Sequence, residues 1–217
     1  MHIPDGLVTN NVGIAILMWI VSTAFLVWSW KKAKVTYSRS IASLLGISSA
    51  FVFVAQMINF PIAFGTSGHL VGGTFLAVLL GPYAAIISMT IVLLMQALFF
   101  ADGGIIAFGM NVFNMAIVGG LSFFLIKMFA RKAESKRFPM SVFAASWFSV
   151  MAGALICSLE VAPAFVDGVM VTVPSMLFFY TIIGLGEGAI TMILLSSLKR
   201  FKPDWIGGFT LLKEREK

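Results

Sequence analysis

Charged residues are scarce in this sequence. Only 11% of its 217 residues are charged, whereas 59% are hydrophobic, and an ordinary soluble domain carries about 25% charged residues. Runs of about 20 apolar residues are typical of membrane-spanning helices. The scarcity of charge therefore excludes an ordinary soluble domain. It predicts an all-α, multi-pass helix bundle in the cell membrane, surrounded by lipid.

Cysteine and histidine are almost absent. The one cysteine, Cys157, cannot form an intrachain disulfide, and the two histidines are His2 and His69. Two histidines are few for a membrane metalloenzyme, and the sequence has neither a Walker A motif nor HExxH. We therefore predict a non-catalytic protein that does not hydrolyse ATP itself and has no organic cofactor.

Most predicted spans are clear apolar runs, and one segment is ambiguous. The clear runs cover roughly 12–30, 41–60, 105–126, 139–159 and 174–198. Read as one helix, 70–100 would be about 46 Å long at 1.5 Å per residue, far longer than a hydrocarbon core of about 30 Å. Because Gly81-Pro82 interrupts this segment, we predict a hairpin whose short first arm, 70–80, is packed inside the protein.

The basic residues fall into three clusters. All 15 Lys and Arg lie in 31–39, 127–137 and 199–217, and such residues concentrate in cytoplasmic loops. The net charge of +6 is thereby explained without nucleic acid as a partner. An even number of spans must separate the first two clusters, so the hairpin gives seven helices, with the amino terminus outside and the carboxyl terminus inside. The predicted single transmembrane domain, 1–217, consists of an amino-terminal segment (1–10), the bundle (11–198) and a cytoplasmic tail (199–217).

The predicted outer face has neither Lys nor Arg, but it holds both histidines. It comprises residues 1–10, 61–69, 101–104 and 159–168, with the acidic side chains Asp5, Asp102, Glu160 and Asp167. An anionic surface that also carries the imidazoles suits a cation better than an anion.

The opening MHIPDG offers three nitrogen atoms in a row: the α-amine of Met1, and the backbone amide and imidazole nitrogens of His2. Binding through all three closes a five-membered and a six-membered ring in one plane, and His69 can fill the remaining position. A square-planar set of four nitrogens indicates Ni(II) or Cu(II) over Zn, Mg or Ca. The alternative is that both histidines are ordinary polar residues of loops.

Other polar residues are candidates for supporting roles. Glu187 lies within a predicted span, where a carboxylate is a functional candidate, or a structural hydrogen-bonding group between helices. Asn111 and Asn114 share one helix face. Together with Asp5 they are candidates to hydrogen-bond the metal ligands, or the two asparagines merely join helices.

A stripe of small residues recurs every four positions in the second predicted helix. Its members are Ala42, Gly46 and Ala50, and such a stripe allows another helix to approach closely. The approaching helix belongs either to this chain or to a partner.

Three segments, MHIPDG, GTSGHLVGG and GLGEGAIT, resemble the substrate-binding membrane subunit (S component) of nickel/cobalt energy-coupling-factor transporters. The resemblance runs through most of the chain, and the opening six residues are its most specific part. It implies seven helices and metal capture by Met1, His2 and His69. It also implies a separate transmembrane coupling subunit that docks on the small-residue stripe, two ATPase subunits and often a small accessory membrane protein.

The sequence supports three hypotheses about the function of the protein. The leading one is a high-affinity Ni(II) or Co(II) capture subunit of an ATP-driven importer, with nickel favoured by the planar site. The alternative is a stand-alone secondary metal transporter that uses Glu160 or Glu187 as a proton relay. A membrane metal sensor or scaffold is the third.

Overall fold

The computed structural model describes residues 1–9, 11–33, 39–62, 66–166 and 168–209. This part of the chain is almost entirely helical, apart from a short antiparallel pairing of β1 (Phe60–Pro61) with β2 (Ser67–Gly68). The helices are α1 (Val12–Ala33), α2 (Arg39–Met57), α3 (Gly73–Leu80), α4 (Pro82–Phe99), α5 (Phe108–Asn111), α6 (Val118–Ala130), α7 (Phe138–Val161) and α8 (Gly168–Phe201). A π-helical turn, Val112–Ile117, joins α5 to α6.

Five helical segments are long and apolar enough to cross a membrane. They are Val12–Ala33, Pro82–Phe99, Phe108–Ala130, Phe138–Ala164 and Gly168–Phe201, and α2 contributes a shorter apolar stretch, Ala42–Met57. The chain is therefore a multi-pass membrane protein, and the predicted all-α bundle is confirmed.

The predicted break at Gly81-Pro82 is confirmed, because α3 ends at Leu80 and α4 begins at Pro82. Gly81 has φ 81° and ψ 160°, a backbone conformation that glycine adopts readily and other residues rarely do. Every residue of α3 is buried, and its 8 residues extend only about 12 Å. As predicted, this short arm is packed inside the protein.

Helix α3 reaches its buried place because glycines let two helices touch. A Cβ added to Gly73 would lie 2.6 Å from the Cα of Gly119 on α6, a distance that real side chains do not tolerate. Two facing glycines therefore permit a backbone approach that any larger pair would prevent.

The last helix begins earlier than the sequence predicts. The apolar run indicates a start at 174, but α8 begins at Gly168 and contains Pro174. Proline removes one backbone N–H donor. Pro174 is the seventh residue of α8, beyond the four N–H groups that have no intrahelical acceptor in any helix, so the helix continues through it with one backbone hydrogen bond fewer.

The amino-terminal segment folds back into the bundle. Met1 and Ile3 are fully buried, and Val8 is 2% exposed. A turn of 3-10 helix over Asp5–Leu7 leads from this buried segment toward α1. The first residues of the chain are thus part of the core, at the end of the bundle that also carries His69 and the 101–104 loop.

Candidate metal centre

Asn111 holds the amino-terminal segment through both the oxygen and the nitrogen of its side-chain amide. The backbone N–H of Ile3 donates to Asn111 Oδ1 at 2.8 Å, and Asn111 Nδ2 donates to the Ile3 carbonyl at 3.1 Å. The backbone N–H of Gly104 donates to the same carbonyl at 2.8 Å. This two-sided pairing fixes the residue that follows the predicted chelate.

Asp5 anchors the segment farther along. Its carboxylate accepts hydrogen bonds from the backbone N–H groups of Ile105, at 3.1 Å, and Ala107, at 3.0 Å. A Cβ added to Gly104 would lie 1.9 Å from Asp5 Oδ1, so a glycine is required there. Asp5 therefore supports the backbone, and in this structure its oxygens bind main-chain N–H groups.

The α-amine of Met1 lies against His69. It donates to the carbonyl of Ser67 and lies 3.0 Å from His69 Nε2. The other ring nitrogen of His69, Nδ1, donates to the carbonyl of Leu70 at 2.9 Å. Because a neutral imidazole has one N–H, Nε2 keeps a free lone pair, and that lone pair is directed toward the amine.

The two imidazoles lie side by side. The ring centroids of His2 and His69 are 4.6 Å apart, and the side chains are 3% and 2% exposed. His2 Nε2 lies 3.2 Å from Gln96 Oε1, and His2 Nδ1 lies 3.3 Å from Asp102 Oδ1. The structure therefore brings together Met1, His2 and His69, the three residues predicted to bind metal.

Burial keeps these nitrogens neutral. Desolvation lowers the pKa of the Met1 amine to about 5. Desolvation and the adjacent amine lower the pKa of His2 to about 3, and they hold the pKa of His69 well below its usual range. Desolvation also raises the pKa of Asp102. At neutral pH the amine and both imidazoles are uncharged, which is the form that binds a metal ion.

The loop that carries His69 is held by α8. Glu187 accepts the backbone N–H groups of Val71, at 2.6 Å, and Gly72, at 2.9 Å. The hydroxyl of Tyr180 donates to the Ser67 carbonyl at 2.7 Å. Gly72 has φ 77°, so this anchoring stabilises a left-handed turn just after His69.

Asn114 makes a different contact from Asn111. Its Nδ2 donates to Glu160 Oε2 on α7 at 2.6 Å, with both side chains buried. The amide of Asn111 thus supports the amino-terminal segment, and the amide of Asn114 joins two helices. The sequence allows both roles for either residue, and the tertiary contacts divide them between the two.

Sequence reasoning missed Gln96, Ser67 and Tyr180, and it noted Asp102 only as an acidic residue of the outer face. The available signal was strongest for Gln96, because an isolated polar residue in an apolar helix is a functional candidate. The residues that the structure describes include no group of three or more His, Cys, Asp or Glu side chains suited to a metal ion.

The small-residue stripe faces outward. Ala42, Gly46 and Ala50 are all exposed, and no atom lies within 4 Å of a Cβ added to Gly46. Within the described ranges, this stripe does not pack against another helix of the chain, so it is open to a partner or to lipid.

Comparison with known proteins gives consistent matches. The family model described as "Cobalt uptake substrate-specific transmembrane region" matches residues 2–205. A putative fused nickel transport protein of Archaeoglobus fulgidus is 40% identical over 95% of this chain and 68% of its own length. A putative metal transport protein of Haloquadratum walsbyi is 39% identical over 95% of this chain and 93% of its own.

Solved structures agree with the sequence relatives. A crystal structure of a truncated transition metal transporter superposes with a TM-score of 0.82 at 31% identity, covering 93% of this chain and 99% of that one. The chain spans about two thirds of the length of the fused relative from Archaeoglobus, at 68%.

Proposed function

We propose that this chain, which belongs to the cobalt uptake substrate-specific transmembrane family, captures a metal ion for transport. The proposed substrate is Ni(II) or Co(II), and the chain is proposed to act as the substrate-binding subunit of an ATP-driven importer. Relatives that are 40% and 32% identical carry the names of a nickel and a cobalt transport protein. The single observation that carries the proposal is the contact of the Met1 amine with His69, 3.0 Å from nitrogen to nitrogen.

That distance matches the spacing of neighbouring ligands in a square. With metal–nitrogen bonds of about 2 Å, two ligands at a right angle lie about 2.8 Å apart. The Met1 amine and His69 Nε2 are separated by 3.0 Å, so one ion can bridge them with little movement. The amide nitrogen and Nδ1 of His2 complete the square-planar set, which requires a free α-amine on Met1.

The ligand set favours nickel over zinc. Four nitrogens in a plane suit Ni(II) and Cu(II), whereas zinc prefers a tetrahedron. Deprotonation of the His2 amide requires a strongly polarising ion. The residues on either side of it, Met1 and Ile3, hold the segment in place by hydrogen bonds to Ser67 and Asn111. Nickel is the favoured substrate on these grounds, and cobalt is the alternative cargo.

The proposed topology keeps seven membrane passages, with the site outside. Helix α3 forms the short arm of the hairpin and α2 crosses through its apolar stretch, Ala42–Met57. The three basic clusters then face the cytoplasm. The metal ligands then lie, buried, at the outer end of the bundle, on the side from which an importer takes up its substrate.

The proposed partners are a transmembrane coupling subunit, two ATPase subunits and a small accessory membrane protein. The exposed stripe Ala42, Gly46 and Ala50 offers the coupling subunit a surface without bulky side chains, which close helix packing requires. The chain itself is proposed to bind and release metal, and ATP hydrolysis is assigned to the partners.

The contacts of Glu187 favour this proposal over a stand-alone proton-coupled transporter. Its two oxygens already accept the N–H groups of Val71 and Gly72. A carboxylate engaged in this way anchors the His69 loop, and its protonation would disrupt that loop.

Metal analysis of the purified protein tests the proposal. We expect one nickel or cobalt ion per chain, about four nitrogen neighbours by X-ray absorption, and retention of nickel in the presence of equimolar zinc. Intact-mass measurement establishes in the same sample that Met1 is present with a free amine. Oxygen-dominated coordination, or ready displacement of nickel by zinc, contradicts the planar nitrogen site.

A further inference from the structure

Gln96 presents its side-chain oxygen to the imidazole of His2. It lies near the end of α4, is 0% exposed, and its Oε1 is 3.2 Å from His2 Nε2. Its Nε2 has no hydrogen-bond partner among the described residues. Within the described residues, the contact with His2 is thus the hydrogen bond that this amide makes, with Oε1 toward the imidazole.

The proposed chelate requires a particular nitrogen of His2. The six-membered ring runs from the amide nitrogen through Cα, Cβ and Cγ to Nδ1, so Nδ1 must bind the metal. A neutral imidazole that binds through Nδ1 carries its hydrogen on Nε2. Because a buried N–H without an acceptor is unfavourable, this tautomer needs an acceptor at Nε2, and Gln96 Oε1 occupies that position.

Asp102 acts on the opposite side of the ring. Its Oδ1 lies 3.3 Å from His2 Nδ1, and an acceptor there favours a hydrogen on Nδ1, which would block the metal. Asp102 is held in turn by Asn59, whose Nδ2 donates to Oδ2 at 3.1 Å. The imidazole of His2 thus lies between two acceptors that favour opposite tautomers, and the hydroxyl of Ser67, 3.5 Å from Nδ1, can act as donor or acceptor there.

We propose that Gln96 is a positioning residue for metal capture: by accepting the Nε2–H of His2, it commits Nδ1 to the incoming ion, against the pull of Asp102. The inference rests on the proposed function, since it assumes that His2 binds through Nδ1. Partners that orient metal-binding histidines typically affect metal affinity by 10–100-fold, which sets the expected size of the effect.

His69 provides an internal reference. Its Nδ1 donates to the Leu70 carbonyl at 2.9 Å, so its hydrogen is on Nδ1 and its free lone pair is on Nε2. The two histidines are therefore expected to use opposite tautomers when metal is bound. Since the sequence contains two histidines, selective 15N labelling of histidine resolves both rings without crowding.

The experiment combines tautomer measurement with metal titration on the full chain. The 15N spectrum of metal-free protein reports which ring nitrogen carries hydrogen, and calorimetry gives the nickel Kd. We expect Gln96→Met, which keeps the length of the side chain but removes the acceptor, to shift His2 toward Nδ1–H and weaken nickel binding about 10–100-fold. Gln96→Glu, which retains an acceptor oxygen, should keep the wild-type tautomer and affinity.

Two further variants make the test specific. Gln56→Met removes the other buried glutamine, which contacts Val71 and Met89, and it should leave the His2 tautomer unchanged. Asp102→Asn removes the opposing carboxylate at a half-buried position, and its Nε2–H fraction of His2 should be at least that of wild type. The His2 tautomer of the metal-free wild type, expected to be Nε2–H, keeps the proposal testable if Gln96→Met does not fold.

The outcomes separate this inference from the proposed function. Nickel affinity of Gln96→Met within twofold of wild type, weaker binding with an unchanged His2 tautomer, or Nδ1–H as the main His2 tautomer of the metal-free wild type would each overturn the role of Gln96. If His2→Ala binds nickel like wild type, the proposed metal site fails. In that case the spectra of the metal-free variants still report whether Gln96 selects the tautomer of His2.

Discussion

The amino-terminal segment and the outer face of α2 reverse the usual relation between polarity and burial. The segment carries the polar α-amine and a histidine, yet Met1 is fully buried and His2 is 3% exposed. Helix α2 is apolar, yet Ile47 and Val54 are 58% and 62% exposed. The buried polar segment marks a site with specific contacts, whereas the exposed apolar face is suited to lipid or to a partner helix.

The two regions are held in place in different ways. The amino-terminal segment is held by directed hydrogen bonds with Asn111, Gly104 and Ser67, so small changes in position remove them. On the α2 face, a Cβ added to Gly46 would meet no atom within 4 Å. Metal binding should therefore respond strongly to changes in the first region and little to changes in the second.

The largest expected effect comes from extending the amino terminus. Adding Gly-Ser before Met1 converts the amine to an amide and places two residues where the structure is closed around Met1. Nickel binding should be abolished, as measured by nickel content after purification. The same two residues added after Lys217 are the control, and equal stoichiometric nickel in both proteins would contradict the chelate.

Removal of either imidazole should have the next largest effect. His2→Ala breaks one ring of the chelate, and His69→Ala opens the fourth position, so each should weaken nickel binding more than about 100-fold, beyond the usual effect of a supporting residue. Calorimetric titration measures the loss. Near-wild-type affinity in either variant would mean that a different set of ligands is used.

A comparison of two buried carboxylates should show an intermediate effect. Glu187→Gln replaces one acceptor of the Val71 and Gly72 N–H groups with a donor, so the His69 loop should shift and nickel affinity should fall about tenfold. Glu160→Gln is the matched control, because its contact is with Asn114, and its affinity should stay within about twofold. Equal affinities of the two variants would argue against anchoring by Glu187.

The pH dependence should be moderate near neutrality. Burial lowers the pKa of the Met1 amine from 8.0 to about 5 and that of His2 from 6.5 to about 3, so both stay neutral between pH 8 and 6. The proton released in this range is then that of the His2 amide. Nickel affinity should fall about tenfold per pH unit from 8 to 6 and more steeply below about 5.

Titrations of nickel binding at several pH values measure this slope. Ordinary pKa values of an α-amine and an imidazole would add further protons and give a steeper fall between pH 8 and 6. A pH-independent affinity would instead indicate carboxylate and carbonyl ligands.

The smallest expected effect on metal binding is that of Gly46→Leu. A side chain at this position meets open space, so nickel affinity should be unchanged within about twofold, while co-purification of the coupling subunit and nickel uptake should be lost. Ser43→Leu, also exposed on α2 but off the stripe, is the control and should retain uptake. Loss of nickel affinity in step with uptake would show that the stripe supports the metal site.

The sequence predicted several features because they depend on neighbouring residues. The length limit on an apolar helix and the Gly81-Pro82 pair predicted a break that the structure confirms. The chelating nitrogens of Met1 and His2 are adjacent in the chain. The distribution of Lys and Arg predicted that both histidines belong to one end of the bundle, and the structure brings their rings within 4.6 Å.

The roles of individual polar residues were less accessible. The early start of α8 at Gly168 and the anchoring of Asp5 by Ile105 and Ala107 depend on what packs nearby. A single carboxylate in a sequence does not reveal which N–H groups it will accept, because those groups come from distant parts of the chain.

By itself, the sequence determined the membrane class, the interrupted helix and the three consecutive nitrogens, since composition, length and covalent connectivity act locally. Only the tertiary structure decided that Glu187 anchors the His69 loop, that Gln96 faces His2, and that the small-residue stripe is exposed. The hydrogen bonds of Glu187 and Gln96 join residues about 90 to 120 positions apart. Such pairings arise because packed helices bring distant polar groups into the same apolar interior, where each buried group must find a partner.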